Sequence, residues 1–76
     1  MQKKTLLYPN IHAELARDGL TVAMLADYMG MTAQNLYGKL KGATAVTEKD
    51  MKTIQEFFKV NGGRAFTLDY LFTTNL

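Results

Sequence analysis

The stretch Gly19-Leu20-Thr21-Val22-Ala23-Met24-Leu25-Ala26-Asp27-Tyr28-Met29-Gly30-Met31-Thr32-Ala33-Gln34-Asn35-Leu36-Tyr37-Gly38-Lys39-Leu40-Lys41-Gly42 decides how this chain folds. Threonines stand where helices should begin and glycines where they should end. A threonine hydroxyl accepts a hydrogen bond from an amide that the first helical turn leaves without a partner. A glycine just past the last turn takes the left-handed conformation that closes a helix. By this punctuation Thr21 caps a helix over Val22 to Met29 that stops at Gly30, and Thr32 caps one over Ala33 to Lys41 that stops at Gly42. Leu25, Ala26 and Met29 give the first an apolar stripe, and Leu36 and Leu40 do so for the second. The turn between them is only Gly30-Met31-Thr32. A link so short forces a steep crossing rather than antiparallel packing, which is helix-turn-helix geometry.

The same rules extend outward. Asn10, after Pro9, is expected to cap a helix over Ile11 to Asp18, with Gly19 closing it and Leu20 as hydrophobic follower. Thr47 caps Glu48 to about Val60, with Asp50 completing a shortened capping box. Along that helix Met51, Ile54, Phe57 and Phe58 share one face, opposite Lys49, Lys52, Glu56 and Lys59. Asn61-Gly62-Gly63 should break the chain, and Thr67 caps a last helix over Leu68 to Phe72. The connection before it, Asn61 to Phe66, is long; Phe66 reads as a core plug and Arg64 as solvated. No stretch alternates with period two for long enough to argue a sheet, and glycines weaken any extended reading of Val60 to Phe66. The expectation is an all-α fold of five short helices around one core: residues 1–9 an N-terminal arm, 10–73 a single domain, 74–76 a fraying tail. Lys3 and Lys4 on the arm can touch a phosphate backbone, although a solvated end is the plainer reading.

Composition narrows the function. The 76 residues bury about 62% of the unfolded chain's surface by size scaling. That supports one core and leaves little for a drug-sized cleft. The net charge is only +2, so charge by itself does not announce nucleic acid. There are no cysteines and a single histidine, His12, which excludes disulfide frameworks, zinc knuckles, thiol chemistry and multi-His metal sites. No cofactor is implied. The short apolar run before Pro9 is too brief for a signal peptide or a membrane span, and a cytoplasmic location fits. An enzyme is not expected: His12 reads as partly buried filler, Glu14 and Asp18 as a solvated edge, and no nucleophile–base pair or phosphate-cradling loop is present.

The third helix carries the functional reading. With Leu36 and Leu40 facing inward, Gln34, Asn35, Tyr37, Lys39 and Lys41 remain around the exposed arc. Amide side chains pair bidentately with adenine N6 and N7 in the major groove, and the lysines supply phosphate attraction. Gly38 weakens the helix interior; either DNA approaches closely there, or the position is a surface one where the loss is tolerated. The amides that open the second and third helices form anion sites, with the Thr21 and Thr32 hydroxyls beside them, though capping alone accounts for both threonines.

The run Gly19-Leu20-Thr21-x-x-x-Leu25-Ala26-x-x-Met29-Gly30-Met31-Thr32-x-x-x-Leu36-Tyr37-x-Lys39-Leu40-x-Gly42 resembles the lambda-repressor-like, Cro-type (XRE-like) helix-turn-helix family, and Thr67-Leu68-Asp69-Tyr70-Leu71-Phe72 looks like that family's final helix. The likeness spans residues 10 to 72. It implies a five-helix domain of a phage or bacterial transcriptional regulator that binds double-stranded operator DNA as a homodimer. It also implies base-reading positions at Ala33, Gln34 and Gly38, with Asn35 and Tyr37 beside them. The implied phosphate contacts are Val22, Lys41 and the loop Gly42 to Thr44. A chain of this size either dimerises through its own helices or forms the N-terminal piece of a longer repressor.

Three departures complicate that carry-over. Val22 stands where many relatives have a glutamine, and Ala23 and Met24 stand where they often have acids. Val22-Ala23-Met24 is therefore a candidate protein-partner surface, unless it packs against Leu6 to Tyr8. Leu15 and Leu40 stand where some relatives bury an Arg–Glu pair, which an apolar pair can replace without loss of stability. The alternative function is a protein-interaction module on the same scaffold, an antitoxin or repressor modulator with weak or no DNA binding.

Overall fold

A computed structural model describes residues 7–74 as a succession of helices: α1 (Pro9–Arg17), α2 (Val22–Met29), α3 (Ala33–Lys41), α4 (Glu48–Gly62) and α5 (Leu68–Leu71). No strand occurs among the described residues. The first six residues, Lys3 and Lys4 among them, lie outside the described part, as do residues 75 and 76.

The threonine caps form as the sequence requires. The hydroxyls of Thr21, Thr32, Thr47 and Thr67 accept from the amides of Met24, Asn35, Asp50 and Tyr70, each at 3.1 Å. At α4 the box is reciprocal, because the Thr47 amide donates to Asp50 Oδ2 at 3.1 Å. Gly30 and Gly42 close α2 and α3 with φ of +76° and +89°, a region L side chains resist. At Gly42 space is a second constraint, since a Cβ would come within 2.9 Å of Leu7 Cδ2.

Several ends differ from the expectation. Asn10 does not cap α1. The helix begins at Pro9, whose fixed φ and missing N–H suit the first helical position. Asn10 is already helical, and its Nδ2 donates to the Tyr70 carbonyl at 2.8 Å, tying α1 to α5. The arm therefore ends earlier than expected: Tyr8 packs against the core and meets Phe72 edge-on at 5.2 Å. α4 runs through Asn61 and Gly62 and breaks only at Gly63, at φ +68°. Asn61 Nδ2 donates to the Phe57 carbonyl at 3.2 Å, which holds this last turn. α5 stops at Leu71, with Phe72 as its cap.

The core is Ile11, Leu15, Leu25, Ala26, Leu36, Leu40, Ile54, Phe57, Phe58 and Leu71. Both Leu15 and Leu40 are buried, so apolar burial stands where the resemblance allowed an ion pair. α2 packs on α3 and α4, α4 on α5, and α5 on α1. Phe66 meets Phe58 edge-on at 5.5 Å and stacks on Tyr70 at 5.4 Å, which makes it the expected plug between α4 and α5.

Glu14 and Asp18 are not a solvated edge. Glu14 is 2% exposed and accepts a hydrogen bond from the Tyr70 hydroxyl at 2.6 Å. Arg17 Nε lies 3.3 Å from Glu14 Oε1, an ion pair without an aligned hydrogen bond. Asp18 is half-buried and pairs with Arg64 Nε at 3.3 Å, so Arg64, solvent-exposed as expected, also tethers the α4–α5 connection to the end of α1. α3 packs on α2 and buries Leu36 and Leu40, which leaves its other face outward.

Candidate functional site

α3 buries Leu36 and Leu40 and exposes Gln34, Asn35, Tyr37 and Lys41. Tyr37 is 45% exposed, a large side chain with no aromatic partner among the described residues. Residues 28 to 47 contain no carboxylate, and the one brought to α3 from outside that stretch by an ion pair is Asp50, at Lys39. Thr44, in the loop after α3, is exposed, as are Gly42 and Ala43. Of the positions singled out in the sequence, Gln34, Asn35, Gly38, Lys39 and Thr44 come together around one shallow depression. Met31 completes its lining. Met31 sits in the turn between a glycine and a cap, where no periodic pattern marks it for a role.

Lys39 departs from the expectation. Its ammonium lies 2.9 Å from Asp50 Oδ2 and donates to the Ala45 carbonyl at 3.0 Å. It is a half-buried brace between α3 and the start of α4, not a free cation for phosphate. The brace shares the carboxylate that closes the Thr47 capping box. Burial pushes the Asp50 carboxyl upward, but the bonds from Lys39 and Thr47 outweigh it and hold the group below its ordinary value of 3.8. The loop between is pinned from both ends, with the amides of Ala43 and Thr44 donating to the Gly38 carbonyl at 2.9 and 3.3 Å. Lys41, in contrast, is exposed.

Ala33 and Val22 also differ from their assigned roles in part. Both are half-buried and pack against the core. Val22 is thereby explained by burial, and the candidate partner surface shrinks to Ala23 and Met24, the latter 44% exposed. The Thr21 and Thr32 hydroxyls are exposed, and each already accepts its capping bond. His12, half-buried on α1, has its pKa lowered by desolvation, as a filler does. Among the described residues no set of three or more His, Asp or Glu side chains is placed to hold a metal, and no helix is long and apolar enough to cross a membrane.

Comparison of the chain with protein-family models, with curated proteins and with solved structures gives no match in any of the three.

Proposed function

We propose that this chain is a sequence-specific double-stranded DNA-binding regulator of the repressor or Cro type, with α3 lying in the major groove. The observation that carries the reading is the outward face of α3. Gln34, Asn35, Tyr37 and Lys41 are exposed on one helix whose opposite face is fixed by Leu36 and Leu40. The three-residue link Gly30-Met31-Thr32 supports reading α2 and α3 as a helix-turn-helix pair. In that arrangement the first helix crosses the phosphates while the second enters the groove. Gln34 and Asn35 read base edges, Tyr37 adds an apolar and hydroxyl contact, and Lys41 neutralises phosphate. Lys39 is reassigned from phosphate contact to positioning, because its ammonium is committed to Asp50 and Ala45. The protein then acts in the cytoplasm, on the nucleoid or on phage DNA, as a homodimer on a two-fold operator. The test is selection of bound duplexes from a random pool, followed by Gln34→Ala on the selected site. Relaxed preference at one base pair supports the reading, and an unchanged profile removes Gln34 from it.

A second reading, a protein-interaction module, is favoured by one observation: Ala23 and the half-exposed Met24 leave an apolar edge on α2. Met24→Gln decides it. An altered oligomeric state with DNA affinity intact supports a partner surface, and no change in either retires it.

A further inference from the structure

We propose that the notch beside Gly38 is a subsite for the C5 methyl of a thymine, so that α3 reads an A·T base pair at that point. The inference rests on the DNA-binding reading above and deepens it by naming a base.

The notch is bounded by Met31, Gln34, Asn35, Gly38, Lys39 and Thr44. Its floor is Gly38, and nothing among the described residues requires glycine there. The residue does not have positive φ. A Cβ would meet only Thr44 Oγ1 at 3.7 Å, an ordinary contact. Glycine is also the weakest ordinary residue for a helix interior. Backbone and packing both permit a side chain, and the sequence has none. What glycine provides at this position is open space on the outward side of α3.

The chemistry of the walls selects what fits. No carboxylate lines the notch. The one charged residue that does, Lys39, has its ammonium held by Asp50 and the Ala45 carbonyl, which leaves its methylene stem to face the space. Met31 contributes a half-buried thioether, itself packed on the core. A phosphate therefore finds no free cation here, and the polar atom nearest the floor is the Thr44 hydroxyl, 3.7 Å from where a Gly38 Cβ would stand. Gln34 and Asn35 stand at the rim with exposed amides. In the major groove thymine alone presents a methyl group, and its paired adenine presents N7 and the N6 amine, the pattern an amide reads bidentately. Methyl in the notch and amide on the adenine use both features of one base pair.

The test uses the intact protein and duplexes selected by it from a random pool. Each thymine is replaced in turn by deoxyuridine, which keeps the pairing and deletes only the methyl. One thymine in each recognition unit should weaken binding about fourfold on replacement, the factor that corresponds to one buried methyl group. In Gly38→Ala the new methyl fills the notch. The thymine duplex should then bind more weakly, and the thymine-to-uracil ratio at that position should fall to about one. Gly38→Ser is a second filler and should do the same. Melting of both variants by circular dichroism shows that they are folded. Duplex binding that ignores every thymine methyl overturns the subsite and leaves the DNA reading standing, as does a ratio unchanged in both variants. Failure to retain any duplex at low salt overturns both.

Discussion

A methyl group added at Gly38 meets only Thr44 Oγ1, at 3.7 Å, and replaces a glycine inside α3. The fold should therefore gain from Gly38→Ala, by about 0.5–1 kcal/mol. For a domain of this size that is a rise in melting temperature of roughly 2–8 °C. A thermal melt checks it. A lower melting temperature means that α3 needs the glycine for its own packing. Its neighbour shows how a residue's type can mislead about its work. Lys39 has the charge and position of a phosphate contact, yet its ammonium lies 2.9 Å from Asp50. Lys41, two residues on, is exposed. The sequence distinguishes these two lysines only through Asp50, which lies in another helix.

Between α3 and α4 the loop is held by one carboxylate. Asp50 Oδ2 receives the Thr47 amide at 3.1 Å and the Lys39 ammonium at 2.9 Å. Its pKa is lower folded than unfolded, so it contributes stability above its unfolded value of 3.8, and that contribution is lost as pH falls through the folded value. Asp50→Asn should lower the urea midpoint at neutral pH and flatten its decline below about pH 4. Parallel curves for the wild type and the variant across that range contradict the brace. At this scale much of the fold was legible. Each threonine cap and the glycines closing α1, α2 and α3 follow from rules that reach at most a few residues along the chain, and they stand where those rules put them. The misses have two causes. By residue type Asn10 is a cap and Asn61 a breaker, but each lies inside a helix and its side chain donates to a carbonyl, of Tyr70 and of Phe57. The burial of Glu14 and Asp18 is not legible because their partners Tyr70 and Arg64 lie 56 and 46 residues away, where periodicity carries no information. The outward arc of α3 was legible from Leu36 and Leu40, whereas the notch was not, since Met31 reaches it from the turn.

Across the whole molecule, α5 is fastened to α1 by Asn10 and by the buried Glu14. The Glu14 carboxylate is shielded from water and takes its hydrogen bond from Tyr70, which raises the Tyr70 pKa because a charged acceptor holds the phenolic proton. Tyr70→Phe should lower the melting temperature by removing the aligned hydrogen bond of a buried carboxylate, which then keeps only its ion pair with Arg17. Glu14→Gln in that background should recover part of the loss, because an amide short of one partner costs less to bury than a carboxylate in the same position. Additive effects in the double variant contradict the tie. The described residues measure 36 × 22 × 22 Å along their principal axes.

If the exposed face of α3 reads duplex DNA, affinity for a selected duplex depends on salt concentration through Lys41. On log–log axes Lys41→Gln should reduce the slope by about one, whereas Lys39→Gln should leave the slope as in the wild type. No duplex retained at low salt, or a slope indifferent to Lys41, contradicts the account.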